Sequence, residues 1–252
     1  MAGPSSASPA TVTAPQTDPD GRTFCYALTD RHWVVGGPVN NGGIVLRWMR
    51  DELAAGETET AKRLGIDPYE VLTHIAARVA AGSAGLLFHP YLAGERAPLW
   101  NADLRGSFFG LAMHHRKEHM IRAVLEGVVM NLHTILPAVE ALVGPATVVK
   151  ATGGFARSPM WRQMLADVFD RDVVVPESIE SSCFGAAMLG LHAMGCLDDL
   201  ETVATLVGAT HRHRPDPASV EAYAPLIPIF DALPRLLLDQ YRAIVALQQG
   251  SR

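Results

Sequence analysis

The stretch Thr147-Val-Val-Lys-Ala-Thr-Gly-Gly-Phe-Ala-Arg-Ser-Pro-Met-Trp-Arg-Gln-Met-Leu-Ala-Asp-Val-Phe169, closed by Val173-Val-Val175, decides the fold. Its first six residues read as a strand that runs into Gly153 and Gly154. Ser158 is a natural N-cap, Pro159 suits the first helical position, and Trp161, Met164, Leu165 and Val168 recur at helical spacing. Val173–Val175 reads as the last strand. Strand, glycine turn, helix and strand together are the repeating unit of an α/β domain.

The same arrangement recurs upstream. The runs TFCYAL and HWVVGG, joined by Thr29-Asp30-Arg31, read as a hairpin, and Asn40-Asn-Gly-Gly43 then opens a helix carrying Ile44, Leu46, Trp48, Met49 and Leu53. An amphipathic helix is expected over 68–80, a buried extended segment over 85–91, and a strand over 107–111. A long helix is expected from about Lys117 to Leu142, with Met120, Val124, Val128, Leu132 and Leu136 on one face. Beyond the last strand, Phe184 to Met194 reads as a helix, and the chain from Ala218 as helical with proline interruptions. The order predicts an α/β fold with a mixed sheet flanked by helices. Residues 1–20, dominated by Ala, Pro, Ser, Thr and Gly, are expected to be a disordered tail, with one domain over 21–252.

Composition narrows the function. The 252 residues are 48% hydrophobic and 19% charged, which excludes disorder for most of the chain. With 21 Lys+Arg against 26 Asp+Glu the net charge is −5, so neither nucleic acid nor an anionic membrane is an expected partner. Cys25, Cys183 and Cys196 are odd in number and have no C-x-x-C pair, which fits a reducing cytoplasm and argues against a disulfide framework or zinc. No run of 18 apolar residues exists, so no membrane span is expected.

Both glycine turns, Asn40–Gly43 and Gly153–Ser158, stand between a strand and a helix. Unpaired N–H groups at a helix start attract anions, and glycine lets a ligand approach the backbone, so together the turns suggest a phosphate or nucleotide site. A β-to-α turn needs glycine for packing alone, so either turn by itself leaves both readings open. Neither matches the P-loop or the Rossmann fingerprint. The loop Gly94-Glu-Arg-Ala-Pro98 could bind an anion or simply hold a local Glu–Arg pair. His114-His115 and His211-Arg-His213 lack further ligands at metal spacing, so no metal site is expected. Trp33, Trp48 and Trp161 read as core, and Ser182-Cys183-Phe-Gly185 lacks the form of a nucleophile elbow. Glu126, on the long helix, reads as a surface carboxylate. No Asp or Glu stands out as a catalytic base.

At Gly106-Ser-Phe-Phe-Gly-Leu111, seven residues, then His119-Met-Ile-Arg-Ala-Val-Leu-Glu126, the sequence resembles the second signature of the FGGY carbohydrate kinases. GERAP is similar to that family's G-E-R-T-P loop, GGFARSPMWRQMLADVF and VPESIESSCFGAAMLG to its adenosine-binding segment, and RPDPASVEAYAPLIPIFDAL to its tail. Within the family, residues 21–43 are most similar to the gluconokinase branch. Xylulokinases share the GERTP loop and adenosine segment but resemble that stretch less. The resemblance implies a ribonuclease-H-like, actin-like ATPase domain, the C-terminal half of a two-domain sugar kinase. It implies ATP as ligand, with Mg²⁺ carried by the nucleotide. It also implies Gly43 at the phosphates, and Gly153, Gly154 and Ser158 around adenosine. Arg47 and Ser158 stand where glycerol kinases carry a nucleotide-contacting Gln and an Asn. The family's catalytic aspartate, first phosphate loop and most sugar contacts belong to the other half. A sugar acid or pentulose is therefore expected to bind only with a complementary N-terminal domain, the chain alone is expected to be inactive, and homo-oligomerisation is left open. A non-catalytic nucleotide- or protein-binding module is the competing reading.

Overall fold

Apolar residues recur on every side of α4 (Lys117–His133), from Ile121 to Leu132, and a helix with that pattern has to be surrounded. The computed structural model describes residues 6–154, 158–177 and 181–250 and places α4 at the centre. Thr134 and Ile135 interrupt it, because Pro137 in the first turn of α5 (Leu136–Val143) cannot continue the preceding helix. The single long helix expected from the periodicity is therefore two. Residues 117–143 are long and apolar enough to cross a membrane by composition, but 78% of the most apolar window is buried inside the protein, as suits a core helix.

Among the described residues, the strands form three small sheets. In the first, β1 (Ser6–Val12) and β2 (Phe24–Ala27) pair antiparallel on either side of β3 (Trp33–Val39), with Phe24 opposite Gly36 and Val12 opposite Trp33. The expected hairpin is present, its turn held by Leu28 N–H on His32 O and by the Thr29 hydroxyl accepting from Arg31 and His32 N–H. The reading of 1–20 as disordered is corrected for 6–12. β1 is an edge strand, a position that tolerates Pro9, and its pairing to β3 and the packing of Ala10 against the core hold it in place. Asp18 is held too, clasped by the Arg22 backbone N–H and guanidinium.

β3 leads through Asn40–Gly42 into α1 (Gly43–Trp48), which widens into a π-helical turn over Met49–Leu53. α2 (Ala55–Leu64) was not expected. It is polar, and its sequence signal is the left-handed Gly65 at its C-terminus, φ +68°. α3 (Pro68–Ala76) is capped by Asp67. The second sheet pairs β4 (Leu87–His89) with β5 (Ser107–Phe109) antiparallel. The third is mixed: β6 (Val148–Lys150) runs parallel to β7 (Asp172–Pro176), with α6 (Pro159–Phe169) between them, and β8 (Ala209–His213) is antiparallel to β7. Val173–Val175 is thus not the last strand. β8 escapes the sequence pattern because its Ala-Thr-His-Arg-His run is largely exposed and has no apolar face. α7 (Ser181–Ala193), α8 (Val203–Leu206), α9 (Pro217–Tyr223), α10 (Leu226–Leu236) and α11 (Leu238–Gly250) complete the chain.

α10 packs beneath β4. His89 is fully buried, stacked 4.3 Å from the Phe230 ring, with its Nε2 3.0 Å from Phe230 O. Burial lowers its pKa to about 4, so it stays neutral. The adjacent Asp231 lines a cavity of 180 Å³ together with Tyr91, Arg22 and Arg235, and burial raises its carboxyl to about 6. A raised carboxyl favours the fold when protonated and opposes it once pH has risen through the folded value. Asp231→Asn is therefore expected to stabilise the protein above pH 6 by about 1–2 kcal/mol and to change little below pH 4. Denaturant melts at pH 4 and pH 7.5 check this; an equal effect at both would exclude titration of Asp231 as the cause.

Candidate nucleotide-binding site

The two glycine turns lead into helices that share α4 as a support, since both α1 and α6 pack on it. α1 starts bare. Gly42 occupies its N-cap position with no side-chain cap, and no acidic residue stands in the first turn. Val45 N–H already donates to Gly42 O at 3.1 Å, so the N–H groups of Gly43 and Ile44, ahead of it, form the positive end that suits an anion. Gly43, at the first helical position, is partly exposed.

At the second turn, Gly153 has φ +86°, the left-handed region that glycine alone enters freely, and a Cβ there would meet nothing within 4 Å. Gly154 is partly exposed, while Phe155, Ala156 and Arg157 lie outside the described residues, as do Ser178, Ile179 and Glu180 of the following segment. Ser158 caps α6 as expected, its Oγ accepting from Trp161 N–H at 3.4 Å. Its hydroxyl proton remains available to a ligand. Trp161 is core, whereas Trp33 and Trp48 are only partly buried.

Two carboxylates prove to be buried where the sequence suggested a loop pair and a surface group. Glu95, in the loop after β4, is 3% exposed. It accepts from Asn40 N–H at 2.6 Å, Asn41 Nδ2 at 2.9 Å, Asn131 Nδ2 at 2.6 Å and Arg96 N–H at 2.8 Å. The GERAP loop is therefore no simple Glu–Arg pair, since Arg96 sends its Nη2 to Val39 O instead. Glu126 is not on the surface, as expected, but 2% exposed. It accepts from Arg122 Nε (2.6 Å), Tyr223 OH (2.9 Å), Gly82 N–H (3.0 Å) and Ser83 Oγ (2.7 Å). The sequence held one clue, the i,i+4 spacing of Arg122 and Glu126; burial of that face depends on α9, 97 residues away. Among the described residues, no three His, Cys, Asp or Glu side chains group as metal ligands.

The mixed α/β architecture places one glycine turn before an uncapped helix and the other before a capped one. The profile of the FGGY family of carbohydrate kinases, C-terminal domain, matches residues 2–194, and the chain belongs to that family. It is 63% identical over 240 residues to a gluconokinase of Bacillus subtilis, covering 95% of this chain and 47% of that protein. Among solved structures, a gluconate kinase from Lactobacillus acidophilus superposes with a TM-score of 0.85 at 34% identity. This match covers 96% of this chain and 48% of that one. A ligand-bound xylulose kinase from the same organism gives 0.85 at 35% with the same coverage. The chain spans about half the length of the curated relatives it matches.

Proposed function

We propose that this chain is the nucleotide-holding half of an ATP-dependent gluconate kinase. The observation that carries the reading is the 63% identity, sustained over 95% of the chain, to a protein named gluconokinase. Gly43 and the bare start of α1 take the nucleotide phosphates; Gly153, Gly154 and Ser158 take adenosine. The absence of acidic groups from the first turn of α1 and the open left-handed backbone at Gly153 fit a polyphosphate nucleotide. Mg²⁺, carried by ATP, neutralises phosphate charge during transfer.

In-line phosphoryl transfer needs a base for the sugar hydroxyl. Glu95 and Glu126 are each occupied by four donors, so neither is free for that task. The base is assigned to the complementary half, and this half supplies positioning. We place the reaction in the cytoplasm. The equal superposition on a xylulose kinase supports a pentulose as the second candidate substrate.

The test is ADP release from ATP-Mg²⁺ with gluconate, and separately with xylulose, by the chain alone and by the chain co-expressed with the N-terminal half of the Bacillus subtilis gluconokinase. The expected result is silence alone and gluconate-dependent release from the pair. Turnover on xylulose alone would move the assignment to the second substrate, and sugar-dependent turnover by the chain by itself would overturn the half-enzyme reading.

A further inference from the structure

We propose that Glu95 is a positioning residue for nucleotide phosphates: its buried carboxylate fixes the Asn40–Gly43 turn, and through it the start of α1, against α4. The proposal rests on the reading that Gly43 and α1 receive the phosphates, and it names what sets their place.

Only Asn40, Asn41 and Gly42 separate the end of β3 at Val39 from the first residue of α1. Slack in those three residues passes directly to Gly43. Glu95 removes it at two points, accepting from the backbone of Asn40 and the side chain of Asn41. Asn41, fully buried, ties the turn a second time: its Nδ2 also donates to Gly94 O at 2.6 Å, and its Oδ1 accepts from Ala93 N–H at 3.2 Å. The other end of the device is Asn131, which is 1% exposed and belongs to the central helix α4. The carboxylate thus joins strand end, loop and core helix at one point.

The chemistry requires a carboxylate. All four groups on Glu95 are neutral N–H donors, two from backbone and two from amides, and only an ionised carboxylate offers acceptor sites to all of them. Each oxygen accepts from two of the donors, so a glutamine would keep one oxygen and direct its own NH₂ at the other two, leaving buried groups unpaired. The carboxylate does not cap α1 itself. It binds the N–H of Asn40, ahead of the helix, and makes no bond to the N–H of Gly43 or Ile44, while Val45 N–H already donates to Gly42 O at 3.1 Å.

The experiment compares wild type, Glu95→Gln and Asn131→Ala as full chains, titrated calorimetrically with adenosine, ADP and ATP-Mg²⁺. Glu95→Gln is expected to weaken ADP and ATP-Mg²⁺ by about ten-fold or more while leaving adenosine within about two-fold. Asn131→Ala, which loses one donor and keeps the carboxylate, is expected to show the same selective loss at about three-fold, and it carries the test if Glu95→Gln does not fold. A loss shared equally by adenosine and the phosphorylated nucleotides would reduce Glu95 to a stability residue and overturn the proposal. So would unchanged affinities in the variants, with phosphate-dependent binding intact in the wild type. A wild-type chain that binds adenosine and ADP equally would overturn the phosphate reading of α1 as well, which separates the two failures.

Discussion

Glu126→Ala is expected to cost about 3–5 kcal/mol of folding stability, a large share of the 5–15 kcal/mol typical of a folded domain. The substitution leaves the Arg122 guanidinium, whose side chain is 11% exposed, without its counter-charge. It also orphans the Gly82 N–H and the Ser83 hydroxyl, each buried. These two groups begin an unusual segment. Gly82, Ser83, Ala84 and Gly85 all have positive φ, between +49° and +86°, so two residues bearing Cβ atoms sit in the left-handed region. Each such residue costs roughly 1 kcal/mol, and the segment persists because Glu126 holds its first two residues. Urea denaturation of Glu126→Ala should show the midpoint falling steeply. The double variant Arg122→Met/Glu126→Leu should recover part of the loss, because no charge is then stranded. A loss below about 1 kcal/mol for the single variant would mean that water reaches and screens the pair.

The next residue gives the second large effect. Gly127 faces β4 so closely that a Cβ would overlap the main-chain carbonyl oxygen of Phe88 and crowd its carbonyl carbon at 3.0 Å. Neither atom can rotate away, as a side-chain tip could. Gly127→Ala therefore has to push α4 off β4 or bend one of them, at an expected cost of about 3 kcal/mol or more. Gly56→Ala is the control. Gly56 lies in α2 with nothing within 4 Å of the added methyl, and there alanine is expected to stabilise by about 0.5–1 kcal/mol. Chemical denaturation of the two variants beside wild type checks both signs. Equal, small effects would mean that α4 and β4 are less tightly apposed than described.

These two positions also show what a sequence can and cannot disclose. The units around Gly43 and Ser158 were legible because their signals are local: a β-rich run, glycines, a capping serine with proline after it, and a helical stripe. Glu126 and Gly127 give no such signal. On a helix that is buried on every side, a carboxylate looks solvated and a glycine looks weak until the partners from α9 and β4 arrive. β8 was missed for the opposite reason, being a real strand without an apolar face, and the edge strand β1 because backbone pairing, which composition does not record, holds it. At the candidate site the glycines were found, yet Glu95 was read only against its neighbour Arg96. Three of its four partners are 36 to 55 residues distant.

The central helix has one more consequence. α4 supports both α1 and α6, and it reaches the first turn through Asn131. The gap between the two glycine turns is then set as by a calliper whose beam is a single rigid helix and whose jaws are short loops. Changes in loop sequence would alter the grip of each jaw, whereas only a change along the beam would reset the span. Under the proposed function, the object so measured is a nucleotide, with a base at one end and phosphates at the other.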